Sequence, residues 1–168
     1  MGGQKRILID GYNLTGVQHP DLQKEREALL ELLRAYRKRT GHEITVVFDG
    51  WGGSSHIESR MVLGGLSVIY SRTGEKADSV IKKALEKESG IILVSSDREL
   101  QDAAWAHGSV AVSSELFERK LHAGGGAGQR ETKDGDEEGV FDLPTRRGGN
   151  PRQPSKRQKA LERALKGL

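Results

Sequence analysis

Five short apolar segments, spaced along the first two thirds of the chain, constrain its fold more than any other feature. They are RILID (6–10), EITVVFD (43–49), LSVIYS (66–71), GIILVSS (90–96) and SVAVSS (109–114). Each is of strand length and rich in β-branched residues. Their apolar residues fill both alternating positions, so both faces of such strands must be covered. Helical patterns fill the intervals. DLQKEREALLELLRAYRKRTG (21–41) places Leu22, Leu29, Leu32, Leu33 and Tyr36 on one broad stripe and ends in basic residues and Gly41, which suits a helix terminus. EKADSVIKKALEKESG (75–90) repeats the design with Ala77, Val80, Ile81, Ala84 and Leu85, and shorter helices are expected over 97–108 and 114–125. The alternation predicts an α/β sandwich over residues 1–122, with a central, mostly parallel sheet of about five strands.

Beyond Leu121 this pattern stops. Residues 123–144, which include GGGAGQRETKDGDEEG, cannot bury a core and read as a flexible, acidic, glycine-rich linker. DGDEEG resembles the start of a calcium loop, but Thr145 stands where the twelfth-position glutamate is needed, which argues against calcium. Residues 145–168 hold eight Lys/Arg against one Glu and read as a flexible basic tail in which Leu161, Leu165 and Leu168 mark one side of a short helix. Such a tail suits either tethering to RNA or a ribosome, or plain solubilisation. No apolar run approaches the ~18 residues of a membrane helix, and the apolar start is cut short by Asp10, unlike a signal peptide. The chain has no cysteine, which removes disulfides, thiolate zinc sites and thiol nucleophiles and is compatible with the cytoplasm. Nothing in the helical stripes demands a dimer or excludes one.

In a parallel sheet all carboxyl ends lie on one side. Asp10 ends the first strand, Asp49 the second, and Asp97 closely follows the fourth. Asp78 falls in the first turn of the helix after the third strand, with Glu75 three residues before it. Clustered carboxylates repel one another unless a cation compensates or some take up protons. Oxygen ligands without cysteine or paired histidine favour Mg²⁺ or Mn²⁺, one or two ions, over zinc. Such ions activate water and offset the charge that builds on a phosphodiester. Taken singly, each acid has an ordinary reading: Asp10 and Asp49 precede glycines and suit turns, Asp97 suits a helix cap, and helix N-termini favour Glu75 and Asp78 anyway. The joint placement carries the argument.

ILIDGYNL, VVFDG, EKADSVI and VSSDRELQ, in this order and spacing, resemble the YacP-like branch of the NYN domains, relatives of the PIN nucleases. AWAHGSVAVSSELFERKL continues the likeness, which covers roughly residues 5–122. The resemblance implies a PIN-like three-layer sandwich and metal-dependent endoribonuclease activity, with a part in RNA turnover. It makes Asp10, Asp78 and Asp97 the expected metal ligands, with Glu75 or Asp49 as additional members. It gives Asn13 a polar role beside Asp10, and Ser96 a role in orienting Asp97 or a bound water. RNA is the implied partner, and the ribosome a second candidate.

An acidic cleft needs flanking cations to hold RNA. Arg72, Lys76 and Arg98 lie beside the acids in sequence. DGWGGSSHIESR (49–60) leaves the second strand at the same edge, and through Trp51 or Ser54 it is a candidate lip over substrate. Two other functions compete. An Asp-nucleophile phosphohydrolase would also start from an acid after the first strand, but Tyr12 stands where its second acid belongs. A non-cleaving RNA- or ribosome-binding protein would have no need of clustered acids.

Overall fold

The computed structural model describes residues 3–15, 22–50, 57–123 and 155–168. In chain order the elements are β1 (Arg6–Asp10), α1 (Gly11–Thr15), α2 (Leu22–Thr40), β2 (Glu43–Phe48), β3 (Ser59–Leu63), β4 (Leu66–Tyr70), α3 (Ala77–Lys87), β5 (Ile92–Val94), α4 (Arg98–Ala106), β6 (Val110–Val112), α5 (Ser114–His122) and α6 (Lys156–Lys166). The six strands form one sheet in the order β3-β4-β2-β1-β5-β6, parallel throughout except for the antiparallel β3–β4 pair.

Strand alternation sorts the core into two layers. Ile7, Ile9, Ile44, Val46, Phe48, Val68, Ile92 and Val94 face a layer built with Leu14, Leu29, Leu33, Tyr36, Phe117 and Leu121 of α1, α2 and α5. Leu8, Val47, Ile69 and Leu93 face the other layer, formed with Val80, Ile81 and Leu85 of α3 and Leu100 and Ala104 of α4. The result is the expected three-layer sandwich. Within α2 the buried stripe is Leu29, Leu30, Leu33 and Tyr36, while Leu32, expected inside, lies on its flank at 42% exposure. Truncating a fully enclosed residue such as Leu33 or Leu100 to alanine should cost about 2–5 kcal/mol.

Three features go beyond the sequence reading. The sheet has six strands, because SRMVL pairs with β4 although every one of its residues is exposed. Its register is set by the Gly64–Gly65 turn, where both residues have positive φ, +57° and +86°, as the tight hairpin turn matched to sheet twist requires. Second, Gly11, expected as a turn, opens α1 directly after β1. A Cβ there would stand 2.2 Å from the Phe48 ring, so only glycine lets the chain turn this close to β2.

Third, residues 155–168 are not a free tail. They form α6, with Ala164 buried and Leu161, Leu165 and Leu168 packed on the α2/α5 layer. Lys5 Nζ donates to the carbonyls of Ala164 (2.9 Å) and Arg163 (3.2 Å), and His42 Nε2 donates to Gly167 O at 2.7 Å. These contacts satisfy carbonyls that the end of a helix leaves without partners. No helix among the described residues is long and apolar enough to cross a membrane.

Candidate active site

Asp10 is the last residue of β1 and is only 4% exposed, on the α3/α4 side of the sheet. Its Oδ2 accepts hydrogen bonds from Asn13 Nδ2 at 2.5 Å and Ser95 Oγ at 3.3 Å. Asn13 Nδ2 also reaches Ser95 Oγ, at 3.3 Å. The short α1 makes this possible, since one turn of helix returns residue 13 to residue 10. Burial, and then the charge of Asp78, push the Asp10 carboxyl above the ordinary carboxylate range, against the hydrogen bonds from Asn13 and Ser95.

Asp97 is the N-cap of α4: its Oδ1 accepts from Leu100 N at 3.0 Å. Its own backbone N–H donates to Ser95 Oγ at 3.1 Å. Ser95 therefore ties Asp10, Asn13 and Asp97 together. Ser96 was the serine expected to orient Asp97, but its hydroxyl lies between the Glu115 carboxylate (3.2 Å) and Ser114 N (3.1 Å) at the start of α5. The reason is the two-residue period of the strand. Leu93 faces the α3/α4 layer and Val94 the other, so Ser95 falls on the side of Asp10 and Ser96 on the side of α5. Gln101 Nε2 holds this segment through Ser95 O at 2.8 Å.

Asp49 follows β2 and caps the incoming α3, its Oδ1 accepting from Ala77 N at 2.5 Å. Gly50 next to it is required, because a Cβ would lie 1.9 Å from Ser71 O. Asp78, in the first turn of α3, is the hub of the acids. Partial burial raises its pKa first, followed by the charges of Asp97 and Asp49, while Lys82 and Lys76 oppose them. Glu75 is turned elsewhere. It forms ion pairs with Lys83 and with Arg72 (3.0 Å), and the Lys83 hydrogen bond leads the effects that lower its pKa. Of the five acids expected together, Asp10, Asp49, Asp78 and Asp97 share one electrostatic environment; Glu75 is neutralised beside it.

The flanking cations differ in their engagement. Arg72 is paired with Glu75, Lys76 is exposed at the start of α3, and Arg98 is exposed at the start of α4. Trp51 and Ser54 lie outside the described residues. Two residues escaped the sequence reading. Ser95 was legible only from strand parity. Lys82, one turn beyond Asp78, forms an ion pair with Glu99 and feels the charges of Asp78 and Asp97. The four-residue spacing from Asp78 was its signal.

Among the described residues no three His, Cys, Asp or Glu side chains are arranged to hold one metal ion together. The donor chemistry nonetheless fits Mg²⁺ or Mn²⁺. The available groups are carboxylate oxygens, and burial, with neighbouring carboxylate charge, raises the pKa of two of the acids. Mg²⁺ is commonly held by one or two carboxylates with water completing its shell.

The six-strand, mostly parallel sheet with acids at its carboxyl edge is that of a PIN-like fold. The chain belongs to the YacP-like NYN domain family, whose model matches residues 7–141. It is similar to the uncharacterized protein YacP of Bacillus subtilis (strain 168), with 27% identity over 126 residues, 68% of this chain and 74% of that one. The crystal structure of Rae1 (YacP) from Bacillus subtilis matches with a TM-score of 0.57 and 25% identity, covering 71% of this chain and 75% of that one. A mutant form of Rae1 gives the same TM-score at 24% identity, covering 71% and 76%.

Proposed function

We propose that this protein is a metal-dependent endoribonuclease that hydrolyses RNA phosphodiesters, with Asp10, Asp78 and Asp97 as the ligands of one or two Mg²⁺ or Mn²⁺ ions. It would act in RNA turnover in the cytoplasm, on RNA that is either free or presented by a ribosome. The observation that carries the reading is that acids from β1, α3 and the start of α4 share one edge, where burial and mutual repulsion raise the pKa of Asp10 and Asp78. A structural role alone gives no reason to hold a buried and a partly buried acid in that condition.

A bound divalent ion would supply activated water and offset the charge gathering on the phosphate. The chain's own residues do the positioning. Asn13 and Ser95 fix Asp10 through Oδ2. Leu100 N fixes Asp97 through Oδ1. Ser95 couples the two by also holding the Asp97 backbone. Asp49 orients α3, and so Asp78, through Ala77 N. Arg98 and Lys76, exposed at two helix starts beside the acids, would hold flanking phosphates; Lys82 would moderate the charge around Asp78.

The test is cleavage of mixed RNAs by the full chain with Mg²⁺ or Mn²⁺, with and without ribosomes, comparing the parent with Asp97→Asn. Asparagine keeps the helix cap, so the variant should fold and lose cleavage. Cleavage by Asp97→Asn at the parent rate would overturn the assignment. RNA binding that is equal with and without metal, and never followed by cleavage, would support the binding-protein reading instead.

A further inference from the structure

Arg26 lies on the first half of α2, on the face of the sheet opposite α3 and α4, yet at the same carboxyl edge as the acids. It is partly buried, with its guanidinium carbon 5.1 Å from the centre of the Phe48 ring and 5.5 Å from that of Tyr70. Phe48 and Tyr70 stack at 5.7 Å, and Tyr12 meets Phe48 edge-on at 6.0 Å. Arg26 Nη2 reaches the Tyr12 hydroxyl at 3.5 Å. Among the described residues no carboxylate forms an ion pair with Arg26, in contrast to Arg6, Arg34, Arg60 and Arg72. A guanidinium held over aromatic rings by cation–π attraction keeps N–H donors suited to bidentate contact with phosphate.

The location gives the cluster its meaning. Tyr12 is two residues from Asp10, so chain geometry alone keeps their Cα atoms within about 7 Å. Phe48 precedes Asp49, and Tyr70 ends β4 at the same edge. We infer that Arg26, with the Tyr12 hydroxyl, forms a subsite for a backbone phosphate of single-stranded RNA next to the scissile phosphate. The aromatic ring system fixes the guanidinium in advance of binding. This rests on the ribonuclease reading above and adds a contact on the side of β1 and β2 away from α3 and α4. RNA would thus lie across the sheet edge instead of along the α3/α4 side alone.

The test measures the affinity of a fluorescent single-stranded RNA for the full chain carrying Asp97→Asn, in Mg²⁺, across a series of salt concentrations. Adding Arg26→Gln should weaken binding about ten-fold. It should also lower the slope of log affinity against log salt by about 0.7, the value for one phosphate contact on a single strand. Arg26→Lys should keep the slope while losing part of the affinity, because it keeps the charge and loses the planar fork. Tyr12→Phe should cost about two-fold and leaves the ring packing in place, so the subsite is testable even if Arg26→Gln fails to fold. Unchanged affinity and slope in Arg26→Gln, or full affinity and slope in a folded Tyr12→Phe when Arg26→Gln does not fold, would overturn the subsite and leave the nuclease reading standing. Absence of RNA binding by the Asp97→Asn parent would instead count against both.

Discussion

The two ends of the sheet treat charge in opposite ways. At the amino end, charges and polar groups are paired: Arg6 with Glu88, Lys5 with the carbonyls closing α6, His42 with Gly167 O. At the carboxyl end, Asp10, Asp49, Asp78 and Asp97 are brought together, and two of them have raised pKa. Cavity shape runs the other way. A groove of about 550 Å³ opens near the amino end, lined by Thr45, Val47, Met61, Val68, Val80 and Ala84 among others, and includes none of these four acids. Among the described residues this groove lies apart from the acids. Burial of like charges, which folding alone does not favour, marks the candidate site better than shape does.

Charge removal at the two ends should therefore have unequal consequences, and the largest is expected at Asp10. Asp10→Asn should reduce RNA cleavage by about 10²–10³-fold, the scale for losing a group that organises transition-state electrostatics. Its unfolding midpoint should be no lower than the parent's, because a buried, repelled charge is removed. Glu88→Gln at the amino end breaks an exposed pair and should leave the cleavage rate unchanged, with a stability cost under about 1 kcal/mol. Equal kinetic losses in the two variants would erase the contrast.

The next effect tests whether the amino end is a structural clamp. Deleting residues 155–168 removes Leu161, Ala164, Leu165 and Leu168 from the α2/α5 layer. With partial burial of three leucines, the expected loss is about 2–4 kcal/mol in urea unfolding. Cleavage per folded molecule should stay close to that of the full chain. An unchanged urea midpoint would mean that α6 adds nothing to the fold.

Much of this was written in local sequence. Apolar runs of strand length separated by amphipathic helices carried the sandwich, and acids after β1, β2 and β5 carried the acidic edge. What escaped had weaker local signals. β3 has no buried residue and is held by backbone pairing, so only Gly64–Gly65 announced it. The docking of α6 depends on Lys5 and His42, more than 120 residues away along the chain. The choice of Ser95 over Ser96 turns on strand parity, which adjacent serines conceal. Glu75 joined the acids on proximity in sequence, but Arg72 and Lys83 were close enough to claim it.

The serine pair sharpens the comparison at finer scale. Ser95→Ala removes the hydroxyl shared by Asp10, Asn13 and the Asp97 backbone, and hydrogen bonds to charged groups contribute about 1.5–3 kcal/mol. Cleavage should fall roughly ten-fold or more in kcat, with the RNA concentration for half-maximal rate little changed. Ser96→Ala breaks contacts to α5 only and should leave kcat within about two-fold. The reverse ranking would return the positioning role to Ser96.

The smallest effect is on stability, and its sign separates the two kinds of charge. Asp10 and Asp78 have raised pKa values, so the folded state binds more protons than the unfolded state from the ordinary carboxylate range upward. Stability then falls as pH rises through that window, and the cost persists at neutral pH. Glu75 runs the opposite way: its lowered pKa gives stability that is present above the ordinary glutamate range and lost as pH falls through the lowered value. Asp78→Asn should accordingly raise the thermal midpoint slightly at pH 7, with the gain vanishing in acid. Mg²⁺ or Mn²⁺ should raise the parent's midpoint with concentration, as any ligand of the native state does, and should raise that of Asp78→Asn less. Glu75→Gln should leave the metal response intact. If Asp78→Asn lowers the midpoint at pH 7, Asp78 is part of a stabilising network like those at the amino end, and raised repulsion no longer distinguishes the carboxyl edge.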